Sequence, residues 1–307
     1  MKIAVTGAFS YSGKYITKRL LARGEEVINL TGHPNRPDPF NGKVKVFPLD
    51  FSNQDEMIQS LRGVDVLVNT YWVRFDKGAN TQPKAVENTR ALVNAAARSG
   101  VKRVVHISIT NPSADSHLPY FWGKAANEKA VMESGMGYAI LRPTVLFGKE
   151  DILINNIAWL LRRFPIFGLP GSGAYRLSPV YVDDLAELAV EAVYKTENYT
   201  WDAVGPDEFT FKEMVELIGE TIGKKRPLIP FPPRLALLAA QFISLFVRDV
   251  MLTPEEVDGL MANLLVSKEP PRCKTSLRDW LKEHRETAGA NYASELERHF
   301  IPAMPPG

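Results

Sequence analysis

Two hydrophobic periods alternate along the chain. Short runs rich in Val and Ile at 2–6, 26–31, 44–49, 64–70, 102–109 and 137–142 read as strands. Between them, longer segments place apolar residues every three or four positions. The spacing predicts helices over 12–23, with Ile16 and Leu20 on one face, over 80–99 and over 120–134. Gly24 and Gly100 stand where the first two of these helices need a left-handed end. Strands alternating with helices imply βαβ units around a mostly parallel sheet, an α/β fold.

After Arg142 the pattern loosens. A helix is expected over 152–163, followed by FPIFGLPGSGAYRLSPV, whose Pro and Gly density predicts an irregular loop. VYVDDLAELAVEAV then returns to strand and helix, with Asp183 or Asp184 as the N-cap. From Gly205 onward no strand signal is present, only helices over 210–222, 235–247, 253–265 and 276–288. The expected organisation is a nucleotide-type α/β domain over 1–205, with 146–180 contributing to the substrate side. A smaller, mainly helical part over 206–307 would cover that site.

The stretch 235–247 is the greasiest, and it falls well short of the roughly 20 residues that span a bilayer. Four readings of it stay open: burial against its neighbours, a lid over a hydrophobic substrate pocket, docking of a partner, and contact with a membrane surface. Around Trp280, DWLKEHRETAGANYASELERHF alternates charged and apolar residues and reads as a surface helix with a terminal strap.

Composition narrows the function classes. Lys plus Arg is 37 and Asp plus Glu 35, a formal net charge of +2, so nothing in the balance points to nucleic acid. The one cysteine, Cys273, excludes a disulfide within the chain and has no Cys or His at zinc spacing. No two histidines are spaced to hold a metal from one element, so no metal is expected. The first residues, MKIAVTGAFS, read as a strand rather than a secretory signal, and a cytoplasmic chain is expected.

The candidate chemistry begins at TGAFSYSGKYI, between the first strand and the first helix. Gly7 and Gly13 take the outer positions of a G-x-x-G-x-x-G turn, with Ser10 in place of the middle glycine. Such a turn lets a diphosphate approach the backbone at a helix N-terminus. It also arises for purely steric reasons. After the second strand, NLTGHPNR carries no acid to bind a ribose 2′-hydroxyl, whereas His33 and Arg36 suit a 2′-phosphate. The cofactor expectation therefore leans to NADP over NAD, with solvated loop cations as the alternative. Asp50 stands either to accept from an adenine amino group or to cap the helix that follows it. Tyr120 and Lys124, four apart, share a helix face, where an ammonium would favour the phenolate and fit Tyr120 for acid/base work. Ser108 and Thr110 end the preceding strand; His106 within it reads as a core residue.

These motifs occur in a familiar order. TGAFSYSG, PLDF, Asn88 in VENTRALVNAA, HIS, YFWGK, LRPTVLFG and VYVDDLA resemble the short-chain dehydrogenase/reductases of the extended and atypical branches, over roughly residues 1–205. Within them the chain is most similar to NAD(P)-binding proteins related to sugar-nucleotide epimerases and dehydratases. It also resembles the nucleotide-holding accessory subunit of respiratory complex I. The resemblance implies a Rossmann-type, doubly wound parallel sheet in which Gly7, Ser10, Tyr11 and Gly13 hold the diphosphate. His33 and Arg36 would meet the adenosine ribose, and Asp50 and Phe51 would flank adenine. Lys124 would bond the nicotinamide ribose, and Pro143, Thr144 and Val145 would lie along the carboxamide. Tyr120 and Lys124, with Ser108 or Thr110, would act on a small-molecule substrate, a sugar nucleotide or small carbonyl compound. Three departures stand out: Ile109 occupies the place of the branch's substrate-polarising Ser or Thr, the second glycine of the turn is missing, and no Tyr-Gly pair follows the strand. The alternative is a subunit or redox sensor that binds the dinucleotide without turnover. Relatives often pair through the helices equivalent to 80–99 and 120–134, so a homodimer is an open expectation.

Overall fold

The computed structural model describes residues 1–249, 253–294 and 296, with some side chains of the 233–247 helix left aside. In chain order the elements begin with β1 (Lys2–Thr6), α1 (Tyr11–Ala22), β2 (Glu26–Thr31), β3 (Lys45–Pro48) and α2 (Gln54–Ser60). Next come β4 (Val66–Asn69), α3 (Gln82–Arg98), β5 (Arg103–Ile107), α4 (Pro119–Met132) and β6 (Gly137–Pro143). The middle of the chain forms β7 (Val145–Phe147), α5 (Leu153–Arg163), β8 (Phe167–Pro170), β9 (Arg176–Leu177), β10 (Pro179–Tyr181), α6 (Val182–Tyr194) and β11 (Tyr199–Ala203). The rest forms β12 (Phe209–Thr210), α7 (Phe211–Thr221), β13 (Leu228–Phe231), α8 (Pro233–Val247), α9 (Pro254–Met261) and α10 (Leu277–Glu283).

The chain divides into two compact units. The first combines Met1–Pro143 with Asp183–Ala203, the second Thr144–Val182 with Val204–Ile301. In the first, seven parallel strands lie in the order β11-β6-β5-β4-β1-β2-β3. Successive connections run outward in opposite directions from β1 and β4. In open α/β sheets, the crevice beyond the carboxyl ends at such a switch point is where ligands bind. β1, β4 and β5 are buried almost throughout, as strands covered by helices on both faces must be. The core on one side joins Ala4, Ile28, Leu67, Val104 and Ile140 to Leu92 and Ala96 of α3.

Sequence reading and structure part company at the sheet's far edge. The sequence predicts no strand over YTWDA, yet it pairs parallel with β6 from Tyr199↔Ala139 to Ala203↔Pro143 as β11. Only its last two residues are buried, so its hydrophobic signal is faint. Arg103, inside β5, explains a cation in the core: it donates to the carbonyls of Ala192, Thr196 and Glu197, satisfying the orphan end of α6.

The second unit corrects two expectations. The segment 164–180 is not an irregular loop but carries β8, β9 and most of β10, its glycines Gly171 (φ 61°) and Gly173 (φ 72°) making the turn between the first two. Beyond Gly205, where only helices were expected, β12 pairs antiparallel with β9 and β13 pairs parallel with β8. Prolines 170 and 230 hid those strands, and a two-stranded ladder tolerates them because its outer edges need no donor. Nor is Trp280 on a surface helix. Leu277, Trp280 and Leu281, spaced i, i+3, i+4, bury one face of α10 against Phe147, Met214 and Ile218. The expected terminal strap lies partly outside the described residues.

Candidate functional site

The first helix starts from a turn that a side chain would destroy. Gly7 has φ 64°, a left-handed conformation, and its amide donates to Leu30 O at 2.8 Å. A Cβ on Gly13 would lie 2.1 Å from the Gly7 carbonyl oxygen. Strand and helix are thus in backbone contact at this point. Ser10 is the N-cap of α1 but makes no side-chain cap bond, and α1 has no acid in its first turn. Its Oγ instead fills the hollow between the glycines, 3.2 Å and 3.0 Å from where their Cβ atoms would be. A helix end without a side-chain cap, beside a close backbone approach, fits a diphosphate. Tyr11 opens the helix, half-buried.

At the adenosine end, His33 is exposed and Arg36 half-buried, in the segment that follows β2. No carboxylate stands at the last residues of that strand, NLT. Phe51 packs at 4.8 Å, ring to ring, against Tyr71. Asp50 receives both the amide (2.9 Å) and the hydroxyl (2.6 Å) of Ser52, which hold its carboxyl below the usual range. The capping of α2 falls to Asn53, whose side chain accepts from Glu56 N.

Between β1, β4 and β5 the sheet carries a buried polar ladder that the sequence did not reveal. Thr6 Oγ1 donates to Asn69 Oδ1 (3.1 Å) and accepts from the amides of Thr70 (2.7 Å) and Tyr71 (3.0 Å). Because Asn69 Oδ1 accepts from Thr6, its amide nitrogen faces His106 Nδ1 at 3.1 Å and donates to it, leaving the imidazole proton on Nε2. Burial, then the neighbouring Lys124, push His106 down to about 3, so it is neutral. The core reading of His106 holds, with one qualification: Nε2 has no partner.

A second corner of this unit is built by α4. Tyr120 and Lys124 do share a face, and the structure adds Trp72, which the sequence reading passed over. The Trp72 ring meets Tyr120 edge-on at 5.6 Å and lies 2.5 Å from where a Cβ on Gly123 would be, so Gly123 makes room for it. Lys124 is 3% exposed; its Nζ donates to Ile107 O at 3.1 Å and sits 5.0 Å from the Trp72 ring centre and 5.9 Å from that of Tyr120. Burial lowers its pKa to about 7, against a smaller opposing pull from Glu128. Glu128 in turn is clamped by Arg142 through two bonds of 2.9 Å and 2.6 Å. Tyr71 OH, accepting from Asn88 Nδ2 at 2.9 Å, ties the Trp72 loop to α3. The signal for this loop was the aromatic pair directly after β4.

The two hydroxyls at the end of β5 differ. Ser108 donates its amide to Leu141 O and keeps a buried, unpartnered hydroxyl. Thr110 donates its hydroxyl to Asp202 Oδ2 at 3.0 Å, so that group serves β11. Ile109 is buried between them. Pro143 closes β6 and accepts from Thr110 N at 3.0 Å. Thr144 and Val145 begin the second unit, where the Thr144 hydroxyl donates to Ser178 O. Asp183 and Asp184 sit in the first turn of α6 and are not its caps; Asp183 takes a bidentate pair from Arg19 of α1 (2.8 Å and 3.0 Å). Among the described residues no cluster of three His, Cys, Asp or Glu could hold a metal, and no helix is long and apolar enough to cross a membrane.

Comparison with known proteins follows the same line. The family described as NAD(P)H-binding matches residues 7–156. Over 251 residues the chain is 27% identical to the mitochondrial NADH dehydrogenase [ubiquinone] 1 alpha subcomplex subunit 9 of Arabidopsis thaliana, covering 76% of this chain and 62% of that subunit. It is 28% identical to an uncharacterised protein of Mycobacterium tuberculosis over 233 residues, 75% of this chain but 24% of the longer relative. Two solved structures share the fold. A nucleoside-diphosphate-sugar epimerase of Staphylococcus aureus superposes with a TM-score of 0.73 at 20% identity, over 92% of this chain and all of that one. An NADPH-dependent quinone oxidoreductase of Escherichia coli, complexed with NADPH, gives 0.75 at 18% identity, over 92% and 99%.

Proposed function

We propose that the chain, whose residues 7–156 match the family described as NAD(P)H-binding, holds a pyridine dinucleotide across the carboxyl ends of β1, β4 and β5 and acts as an oxidoreductase or epimerase. The observation that carries this reading is the Gly7–Gly13 turn, where backbone meets backbone and the first helix opens without a side-chain cap. Gly7, Ser10, Tyr11 and Gly13 hold the diphosphate. Asp50 and Phe51 flank the adenine, and the exposed His33 with Arg36, in a segment whose strand ends without an acid, favours a 2′-phosphate and hence NADP over NAD. The cofactor supplies hydride transfer; the chain's own residues bind, orient and move a proton.

Tyr120 is the proton donor or acceptor for a small carbonyl compound or sugar nucleotide. Lys124, fixed by Ile107 O and Trp72, keeps its ammonium facing that ring, and in the charged form it favours the phenolate. Ser108, with its hydroxyl uncommitted, is the better candidate to meet the substrate oxygen, since the hydroxyl of Thr110 is engaged by Asp202. Pro143, Thr144 and Val145 line the nicotinamide side.

The test is Tyr120→Phe. Turnover over a panel of carbonyl substrates drops 10²–10⁴-fold, the usual worth of a general acid or base, while NADPH affinity by calorimetry stays within twofold. Unchanged turnover removes Tyr120 from the chemistry. A second reading is supported by the buried Ile109, where a polarising hydroxyl would be expected: the chain holds the dinucleotide without turning it over, as a subunit or redox sensor. NADPH then stabilises the fold by about 2.7 kcal/mol at a hundredfold excess over its Kd, yet no substrate is consumed.

A further inference from the structure

The second unit carries a surface that the dinucleotide site does not use. Two stretches of chain, 152–182 and 221–248, contain no Asp or Glu at all, while they hold Arg162, Arg163, Arg176, Lys224, Lys225, Arg226, Arg234 and Arg248. Folding sets these stretches side by side. β8 and β13 pair parallel, Phe167↔Leu228 through Phe231↔Pro170, and α8 follows β13 after a single residue.

Alternation sorts the side chains of this ribbon. Phe167 and Leu169 turn into the core of the unit, and the opposite face shows Ile166 (44% exposed) and Ile229 (36%), the latter paired with Gly168. Phe164, at the end of α5, is 38% exposed. On α8, Leu235 and Leu238 lie three apart at 51% and 60% exposure, and Arg234 is the one charged residue in its fifteen. Large apolar side chains at this exposure, gathered on one ribbon and its helix, are unusual on a solvent face.

Most of the basic groups are already engaged. Arg162, Arg163 and Arg226 are spent inside the unit on the carbonyls of Arg285, Ala288, Gly289, Ala290 and Leu161, while Arg176 pairs with Glu208 and Lys225 with Glu220. Lys224 and Arg234 are exposed beside the apolar residues. Exposed apolar side chains, two exposed cations and segments that carry no carboxylate of their own complement a bilayer whose headgroups are anionic.

We propose that the β8–β13 ribbon and α8 dock this chain on an anionic lipid surface, with Phe164, Ile166, Ile229, Leu235 and Leu238 entering the headgroup region and Lys224 and Arg234 facing lipid phosphates. The full chain, loaded with NADPH, is sedimented with phosphatidylcholine vesicles and with phosphatidylcholine–phosphatidylglycerol vesicles. Binding is expected to the second only and to weaken with salt. Leu235→Asp with Leu238→Asp lowers partitioning tenfold or more, and Lys224→Gln or Arg234→Gln about fivefold each. All these residues are exposed, so melting temperatures and NADPH affinity stay unchanged and serve as the fold control. The proposal is overturned by equal partitioning of wild type and the Leu→Asp variant, or by no binding to anionic vesicles. It is also overturned if light scattering shows that the same substitutions dissolve a self-assembled dimer, since the face would then belong to a second copy.

Discussion

The β1–α1 turn and the α4 corner lie in the same unit and are built on opposite principles. At the turn the geometry rests on backbone: Gly7 and Gly13 matter for what they lack, and Ser10 only fills the hollow they leave. At the corner it rests on side chains packed so that one cation, Lys124, is held out of water by Trp72 and Tyr120. A backbone site is rigid and tolerates no atom more. A side-chain site stores electrostatic free energy, and pH reads it out.

The sharpest way to break the comparison is Gly13→Ala. The new methyl has to displace a carbonyl oxygen 2.1 Å away, so a loss of about 3 kcal/mol is expected in urea unfolding, together with loss of NADPH binding. An unaltered midpoint would mean the strand and helix can slide apart.

At the corner, the Lys124 pKa is depressed in the folded chain, to about 7 from an unfolded 10.5. Between those values the unfolded chain binds the extra proton, so stability rises with pH there, by up to about 1.4 kcal/mol per unit. Below pH 7 the penalty of burying the charge is complete. Lys124→Met should flatten this slope in apo protein between pH 7 and 10, measured by denaturant midpoints, and a slope that survives places its source elsewhere.

Thr110→Val separates structure from chemistry at the end of β5. Removing the donor to buried Asp202 costs about 1–3 kcal/mol in thermal unfolding, with turnover per folded molecule preserved. A selective loss of turnover would return Thr110 to the site. The smallest effect belongs to Asp183→Asn. The Arg19 pair that ties α1 to α6 is about a third exposed on both sides, which limits the loss to about 1 kcal/mol and leaves the glycine turn intact.

The same contrast explains what was legible in the sequence. Glycines at 7, 13, 24 and 100 punctuate the first unit, so six of the seven strands of the parallel sheet could be read with their boundaries off by one or two residues, while β11, buried only at its end, could not. Tyr120 and Lys124 were legible because their spacing lies within one helix. Trp72 and the Thr6–Asn69–His106 ladder were not, because their partners sit more than thirty residues away and meet only in the sheet. Asp50 could be read two ways, and its bonds to Ser52 give it a local turn to hold whatever else it meets. The second unit resisted because its strands are two to four residues long and carry prolines. Trp280 resisted because the charged residues around it masked an i, i+3, i+4 stripe that was present all along.

The division of the chain has an outcome for synthesis. The first unit takes its seventh strand from residues 199–203, after the chain has left at 144 for the other unit and come back at 183. A ribosome must therefore deliver the chain through residue 203 before that sheet gains its last edge, and until then β6 offers a bare rim to passing chaperones or to a neighbouring nascent chain.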